Sequence, residues 1–363
     1  MFYKSFLIFF LINSYIKNCY KLVGKEMINE INYLGKSHYF KTPFPEASKE
    51  EIELVKKNIH YHFTLDDVRE QLKDISNGKN IDKKILEYFL FDIMCKTKRD
   101  MCKWTVEEFM QNDDLISYMI YKFKTKPNLY KNDLSLGDIR RFFNIGGLHL
   151  AVTPTKFKLK YARDILKKYN VNNVYYDFSC GWASRMLASL SENITYFGTD
   201  PNYLLVDKLN EIHNLYNDTN NLLTITDIKK HGSEIFVNEW ENKVGVAFSS
   251  PPYFNCESYR IGKQSYIEGV TTYDEWKNNY LFPTIDNIRR YLIDDGYFLI
   301  NVKNISNKTG GPQKIFHIED DVKDYALKHG FYFVCFETLK VGKRPHFIHK
   351  TSSDENIIVF KKQ

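Results

Sequence analysis

The chain has 363 residues, with 51 Lys and Arg against 45 Asp and Glu, a formal net charge of +6 and a pI near 8.7. Apolar residues at 43% and aromatics at 16% exclude a disordered or low-complexity type, and the length allows two domains or one large α/β domain with an extension. Six cysteines without CxxC spacing (Cys19, Cys95, Cys102, Cys180, Cys256 and Cys335) argue against a zinc site or a disulfide framework and for a reducing, cytoplasmic setting.

Phe2 to Ile12 form an apolar run too short to span a bilayer. Residues 1–26 therefore read either as a leader or as a start called too far upstream, with ordinary soluble character from Met27 onward. From Ser48 to Phe143 the pattern is helical: Ser48 with Glu51 and Thr105 with Glu108 have capping-box spacing, each followed by apolar residues three to four apart. Asn77-Gly78 and Lys126-Pro127-Asn128 read as breaks between helices. We expect an α-helical domain over 27–147, either a recognition domain or a lid, with Gly146-Gly147 at the junction.

Beyond the junction, over 148–363, short strand-like runs alternate with helical stretches, the signature of a parallel sheet with crossover helices. Strands are expected at Val174–Phe178, Thr195–Thr199, Leu222–Thr226, Val244–Phe248, Tyr297–Val302, Phe331–Phe336 and Asn356–Phe360. Helices are expected at Lys158–Lys168, Ser184–Ser191, Leu204–Tyr216, Tyr273–Leu292 and Ile318–His329.

Three strand ends carry chemistry. After the first, Asp177-Phe178-Ser179-Cys180-Gly181-Trp182-Ala183-Ser184 is a small-residue turn entering a helix, which is either an ordinary βα turn or the place where a cofactor meets backbone amides. After the second, Asp200 stands about 20 positions beyond Gly181, where a carboxylate either accepts from two ribose hydroxyls or caps the next helix. Asp227, at the third, either accepts an adenine amino group or caps a turn.

The fourth strand runs into Ser249-Ser250-Pro251-Pro252-Tyr253-Phe254. Two prolines end the ladder and hold an extended, rigid corner where open α/β sheets bind ligands. The Ser250 hydroxyl and the Pro251 carbonyl can accept the hydrogens of a conjugated exocyclic amine, and the Tyr253 ring can stack on a base swung out of its helix. Such chemistry needs positioning and electrostatics, with no metal and no covalent intermediate.

Ser250-Pro251-Pro252-Tyr253 resembles motif IV, (D/N/S)-P-P-(Y/F/W), of the amino-methylating DNA methyltransferases. Asp177 to Ser184 resembles their motif I and Thr153-Pro154-Thr155-Lys156 their motif X, and the whole stretch from Thr153 to Phe360 is similar to viral and phage-type members. The resemblance implies a class I, Rossmann-like α/β fold with a seven-stranded, mostly parallel sheet, and S-adenosylmethionine as cofactor. It implies cofactor contacts at Thr155, Asp177, Ser179, Cys180, Gly181, Asp200 and Asp227, and catalysis by Ser250, Pro251, Pro252 and Tyr253. Two departures stand in motif I, Ala183 for a glycine and Phe178 for a proline. Serine rather than aspartate at 250 favours N4 of cytosine over N6 of adenine within the family.

Basic residues interleaved with aromatics and glycines at Arg260 and Lys263, and a second basic run with Lys343 and Arg344, are the candidate contacts to DNA phosphates. RNA is the rival, less favoured acceptor, kept open because RNA guanine and adenine amino-methylases share the Pro-Pro-aromatic loop. A non-catalytic DNA-binding protein on the same fold is the third reading, prompted by Ala183 and Phe178.

Overall fold

The computed structural model describes residues 44–99, 102–126, 128, 133–146, 150–254, 257–258, 270–307, 314–339 and 355–363. The expected leader, Arg260, Lys263, Lys343 and Arg344 lie outside the described residues. Among those described, no helix is long and apolar enough to cross a membrane.

The chain forms two compact units: one from residues 1–58 and 110–142, the other from residues 59–109 and 143–363. The described residues of the first are largely helical. Helix Lys49–Asn58 begins at the expected capping box, with Glu51 N donating to Ser48 Oγ at 3.2 Å and Ser48 N to Glu51 Oε2 at 3.1 Å. Asn112 and Ser135 cap helices Asp113–Thr125 and Leu136–Arg141 by accepting backbone amides. The long helix buries Leu115, Ile116, Met119, Ile120 and Phe123 at three-to-four spacing, while Lys124 and Lys56 on neighbouring helices pair with Glu51 and Asp113.

The second unit holds the sheet, whose strands are β1 Val174–Asp177, β2 Thr195–Thr199, β3 Thr226–Lys229, β4 Val244–Ser249, β5 Leu292–Asn301, β6 Phe331–Leu339 and β7 Glu355–Lys362. Their order is β3-β2-β1-β4-β5-β7-β6. Strands β1 to β5 pair in parallel, and β7 runs antiparallel to both β5 and β6. This is the expected Rossmann-like, seven-stranded, mostly parallel sheet. The chain builds β1, β2 and β3 outward in one direction and then returns to place β4 on the other side of β1, so the order reverses between β1 and β4. Ligands of such sheets bind at that reversal, beyond the carboxyl ends of the strands.

Alternating side chains divide between two cores: Tyr175, Tyr196, Val246 and Phe248 face one, Tyr176, Ala247, Phe298 and Ile300 the other. On the first face the helices Leu65–Ser76 and Lys83–Lys96 bury Val68, Leu72, Ile75, Leu86 and Leu90 beside Leu187, Leu190, Leu209 and Ile212 of helices Ser184–Ser191 and Tyr203–Asn220. Residues 59–109 therefore belong to the same compact unit as the sheet. Their apolar stripes find the sheet's own helices, a pairing that linear order does not reveal. Arg163 fastens the arrangement from helix Leu159–Tyr169, donating to the carbonyls of Ile75 and Gly78 at 2.9 and 2.7 Å at and just beyond the end of helix Leu65–Ser76.

Several expected elements differ in extent: β5 begins at Leu292 rather than Tyr297, β6 runs on to Leu339, and the helix expected over 204–216 spans Tyr203–Asn220. The third strand begins at Thr226, not Leu222. The long helix expected over 273–292 is interrupted: a helical turn Tyr273–Trp276 passes through a π-helical stretch Lys277–Leu281 into helix Phe282–Tyr291. Pro283, with no N–H and a ring that crowds the preceding turn, stands at the resumption.

Candidate active site

The loop after β1 is held from beneath by a buried ion pair. Arg185 Nε donates to Asp177 Oδ2 at 2.8 Å, and its terminal nitrogen donates to the Ser179 carbonyl. The same carboxylate oxygen accepts from Tyr196 Oη at 3.1 Å, while Oδ1 accepts from Ser179 N at 3.4 Å. Burial works against the Arg185 charge, yet Asp177 keeps the guanidinium above its ordinary range. Asp177 is 0% exposed and both its oxygens are engaged, and through these bonds it holds the loop from below. Nothing in the one-dimensional pattern marked Arg185 as its partner.

Cys180 is also turned inward. Its N–H donates to the Thr199 carbonyl at 3.3 Å, and its thiol, pushed up by burial, faces the same oxygen at 3.4 Å. A Cβ on Gly198 would stand 2.6 Å from Cys180 Sγ and 2.8 Å from the Tyr196 ring, so the closeness of loop and β2 requires glycine there. Gly181 has φ +58° and Ala183 φ +63°, two left-handed residues that turn the chain into helix Ser184–Ser191. The second of these is strained for a residue with a Cβ.

Asp200, at the end of β2, faces that turn. Its Oδ2 accepts from Gly181 N at 3.5 Å and its Oδ1 from Asn202 N at 2.9 Å. Burial raises its carboxyl to about 6, against the opposing pull of those two amides. The helix that follows is capped by Asn202, whose Oδ1 accepts from Leu205 N at 3.2 Å. The capping alternative for Asp200 is thereby taken by its neighbour. Asp227 is shared by Trp240 Nε1 at 2.8 Å and Lys229 Nζ at 2.9 Å, and stays half-exposed.

At the end of β4 the Ser249 hydroxyl donates to the Ser179 carbonyl at 3.2 Å. This bond joins the diproline corner to the loop. The next residue, Ser250, presents a hydroxyl oxygen that is buried and has no hydrogen-bond partner among the described residues. Pro251 is buried, Tyr253 Oη reaches the Asn301 carbonyl at the end of β5 at 3.4 Å, and Phe254 packs against Phe316 and Tyr273 with ring centroids 5.3 and 5.7 Å away. Thr155 is exposed in the irregular stretch before helix Leu159–Tyr169. Two residues on, Phe157 packs edge-on against Phe248 of β4 at 5.4 Å, with the Arg185 guanidinium 5.7 Å from its ring.

The structure thus brings the loop 177–184, Asp200 and the Ser250 corner to one end of the sheet through the bonds Gly181–Asp200 and Ser249–Ser179.

No family model matches the chain and no curated protein matches it by sequence. Among solved structures it is similar to an S-adenosylmethionine-dependent methyltransferase from Clostridium acetobutylicum, at 11% identity over 57% of this chain and 93% of that one with a TM-score of 0.37. It is also similar to the Burkholderia thailandensis 1,6-didemethyltoxoflavin-N1-methyltransferase, at 13% identity over 56% and 78% with a TM-score of 0.36. A candidate DNA modification methylase from Thermus thermophilus is 22% identical over 34% of this chain and 46% of that one, with a TM-score of 0.24.

Proposed function

We propose that the chain is an S-adenosylmethionine-dependent methyltransferase that modifies an exocyclic amino group of a DNA base, N4 of cytosine ahead of N6 of adenine. The observation that carries this reading is the buried Ser250 hydroxyl, without a hydrogen-bond partner among the described residues, on a corner bonded to the Gly181 loop. A buried hydroxyl without a partner costs about 1–3 kcal/mol, a cost that a ligand bonding there removes.

The residues present fit the cofactor. The left-handed Gly181 brings backbone toward Asp200 without a side chain in the way, and the Asp200 carboxylate suits a ribose diol. Asp227 adds an acceptor near the edge of the sheet, for an adenine amino group, and the exposed Thr155 stands on the segment that reaches β4. Ser179 and Cys180 contribute by fixing the loop rather than by reaching out of it. When bound, S-adenosylmethionine supplies a methyl group on a positively charged sulfur.

The chain's own residues prepare the acceptor. The Ser250 oxygen and the Pro251 carbonyl accept the two amino hydrogens, draw the nitrogen out of conjugation and leave its lone pair facing the methyl carbon. A bound S-adenosylmethionine would supply the methyl group to that lone pair and depart as S-adenosylhomocysteine, and the hydrogen-bonded acceptors at Ser250 and Pro251 would pass the one released amino proton to solvent. Tyr253 offers its ring to a flipped base, while its hydroxyl keeps contact with Asn301. Arg260, Lys263, Lys343 and Arg344 are proposed phosphate contacts.

The test is incubation of the purified protein with methyl-labelled S-adenosylmethionine and either duplex DNA or tRNA, followed by mass spectrometry of the nucleosides. N4-methylcytosine or N6-methyladenine in DNA supports the reading. Label confined to tRNA reassigns the acceptor, and no label with either, together with no cofactor binding, overturns it.

A further inference from the structure

Asp82 stands at the start of helix Lys83–Lys96, yet its side chain makes no capping bond to that helix. It is turned to Ser184 instead, whose hydroxyl donates to Asp82 Oδ2 at 2.7 Å. Ser184 is the first residue of helix Ser184–Ser191, directly after the left-handed Ala183. A carboxylate from a distant helix therefore sits where the glycine loop becomes a helix.

The loop's own amides at Ser179, Cys180 and Gly181 are already bonded within the protein, so the anionic part of a ligand is attracted by the amides of the first turn of helix Ser184–Ser191. The methionine tail of S-adenosylmethionine carries a carboxylate and an ammonium on the same carbon. If the amides take the carboxylate, the ammonium needs an acceptor beside them. Asp177, the acidic residue of the loop itself, is buried and committed to Arg185, Tyr196 and Ser179. Asp82 remains partly exposed. Burial raises its carboxyl above the ordinary range, opposed by the Ser184 hydroxyl and the Lys156 charge, and a carboxylate so desolvated gains from a cation placed against it.

Resting on the methyltransferase reading, we infer that Asp82 receives the α-ammonium of the cofactor's methionine tail, with Ser184 holding the carboxylate in place. The helix pair Leu65–Ser76 and Lys83–Lys96 is then part of the cofactor site rather than a separate module.

Binding of S-adenosylhomocysteine and of 5′-methylthioadenosine, which lacks the amino-acid tail, is measured by calorimetry on the full chain and on Asp82→Asn. The variant loses at least about tenfold in affinity for S-adenosylhomocysteine and changes by less than about twofold for 5′-methylthioadenosine, as expected for one charge-assisted bond. Equal losses for both ligands, or no loss for either, overturn the inference while leaving cofactor binding intact. Should the variant fail to fold by circular dichroism, the wild type decides: it must prefer S-adenosylhomocysteine over its analogue lacking the α-amino group by at least about tenfold, and equal affinities overturn the assignment. A wild type that binds neither adenosine ligand removes the methyltransferase reading itself, and this inference with it.

Discussion

The Ser249 hydroxyl donates to the Ser179 carbonyl at 3.2 Å, and that single bond ties the end of β4 to the loop after β1. The carbonyl accepts from Arg185 as well, so the diproline corner is anchored, through one peptide oxygen, to the buried Arg185–Asp177 pair.

Ser250→Ala separates catalysis from stability. The hydroxyl oxygen is buried without a partner among the described residues, so its removal relieves a penalty of about 1–3 kcal/mol. Turnover with DNA is expected to fall at least about tenfold, the scale of a lost electrostatic contact, while the midpoint of thermal unfolding stays level or rises. Tyr253→Ala is expected to lose turnover by a similar factor and to lose stability too, because its ring packs on the core that contains Phe254 and Trp276. Near-normal rates in both variants would remove the roles assigned to them.

Asp200 gives the pH dependence two opposite signs. Its carboxyl is raised to about 6 by burial, so the folded protein holds a proton that the unfolded chain has released. In the absence of cofactor this group contributes stability below its unfolded pKa, and the contribution is lost as pH rises through about 6. Under the proposed ribose contact cofactor affinity runs the other way, since the ionised carboxylate would accept from the ribose hydroxyls and the protonated one would offer less. Calorimetric titration of S-adenosylhomocysteine should weaken as pH falls below about 6, and Asp200→Asn should bind weakly with a flat profile across that range. A wild-type profile that is flat from pH about 7 down to about 5, on both sides of the shifted value, would separate Asp200 from the ribose.

The strands were legible where burial and pairing agree. β4 is buried at every residue and reads as a continuous apolar run, and β2 has the limits its sequence suggests. β3 is an edge strand, paired to β2 alone from Thr226 onward. The apolar run before it attracted the strand assignment, but Leu223 is 95% exposed and Ile225 59%; backbone pairing, not hydrophobicity, sets that register. The positions of the Ser250 corner and of Asp200 were legible because each directly follows a strand, β4 at the reversal in sheet order and β2 on the far side of β1. Asp82–Ser184 and Arg163–Ile75 were not, since both join residues more than eighty positions apart and no local period records such a contact.

Arg185 and Asp177 form a fully buried pair, and removing one member leaves the other charge without compensation. Arg185→Met is expected to destabilise the fold by about 3–5 kcal/mol in urea unfolding. The double variant Arg185→Met with Asp177→Asn is expected to recover part of that loss, because the orphaned charge is gone. Cofactor affinity should stay low in both, since the Ser179 carbonyl and the loop lose their support from below. A single variant that unfolds like the wild type would show that the pair does not hold the loop.

Ala183 is the position at which a second glycine would be compatible with the backbone as it stands. Its φ of +63° lies in the left-handed region, which costs a residue with a Cβ about 1–2 kcal/mol. Glycine removes that strain but adds back about 0.4–1 kcal/mol of freedom in the unfolded chain. Ala183→Gly is therefore expected to stabilise the protein by up to about 1 kcal/mol, read as a shift in urea midpoint without a change in slope. The strain lies between Gly181 and Ser184, where the loop enters its helix, so relieving it should leave cofactor affinity equal to the wild type or higher. A lower affinity with a higher midpoint would mean that the methyl group of Ala183 itself shapes the loop, and that alanine where the resembled motif carries glycine is a feature of this site rather than a tolerated defect.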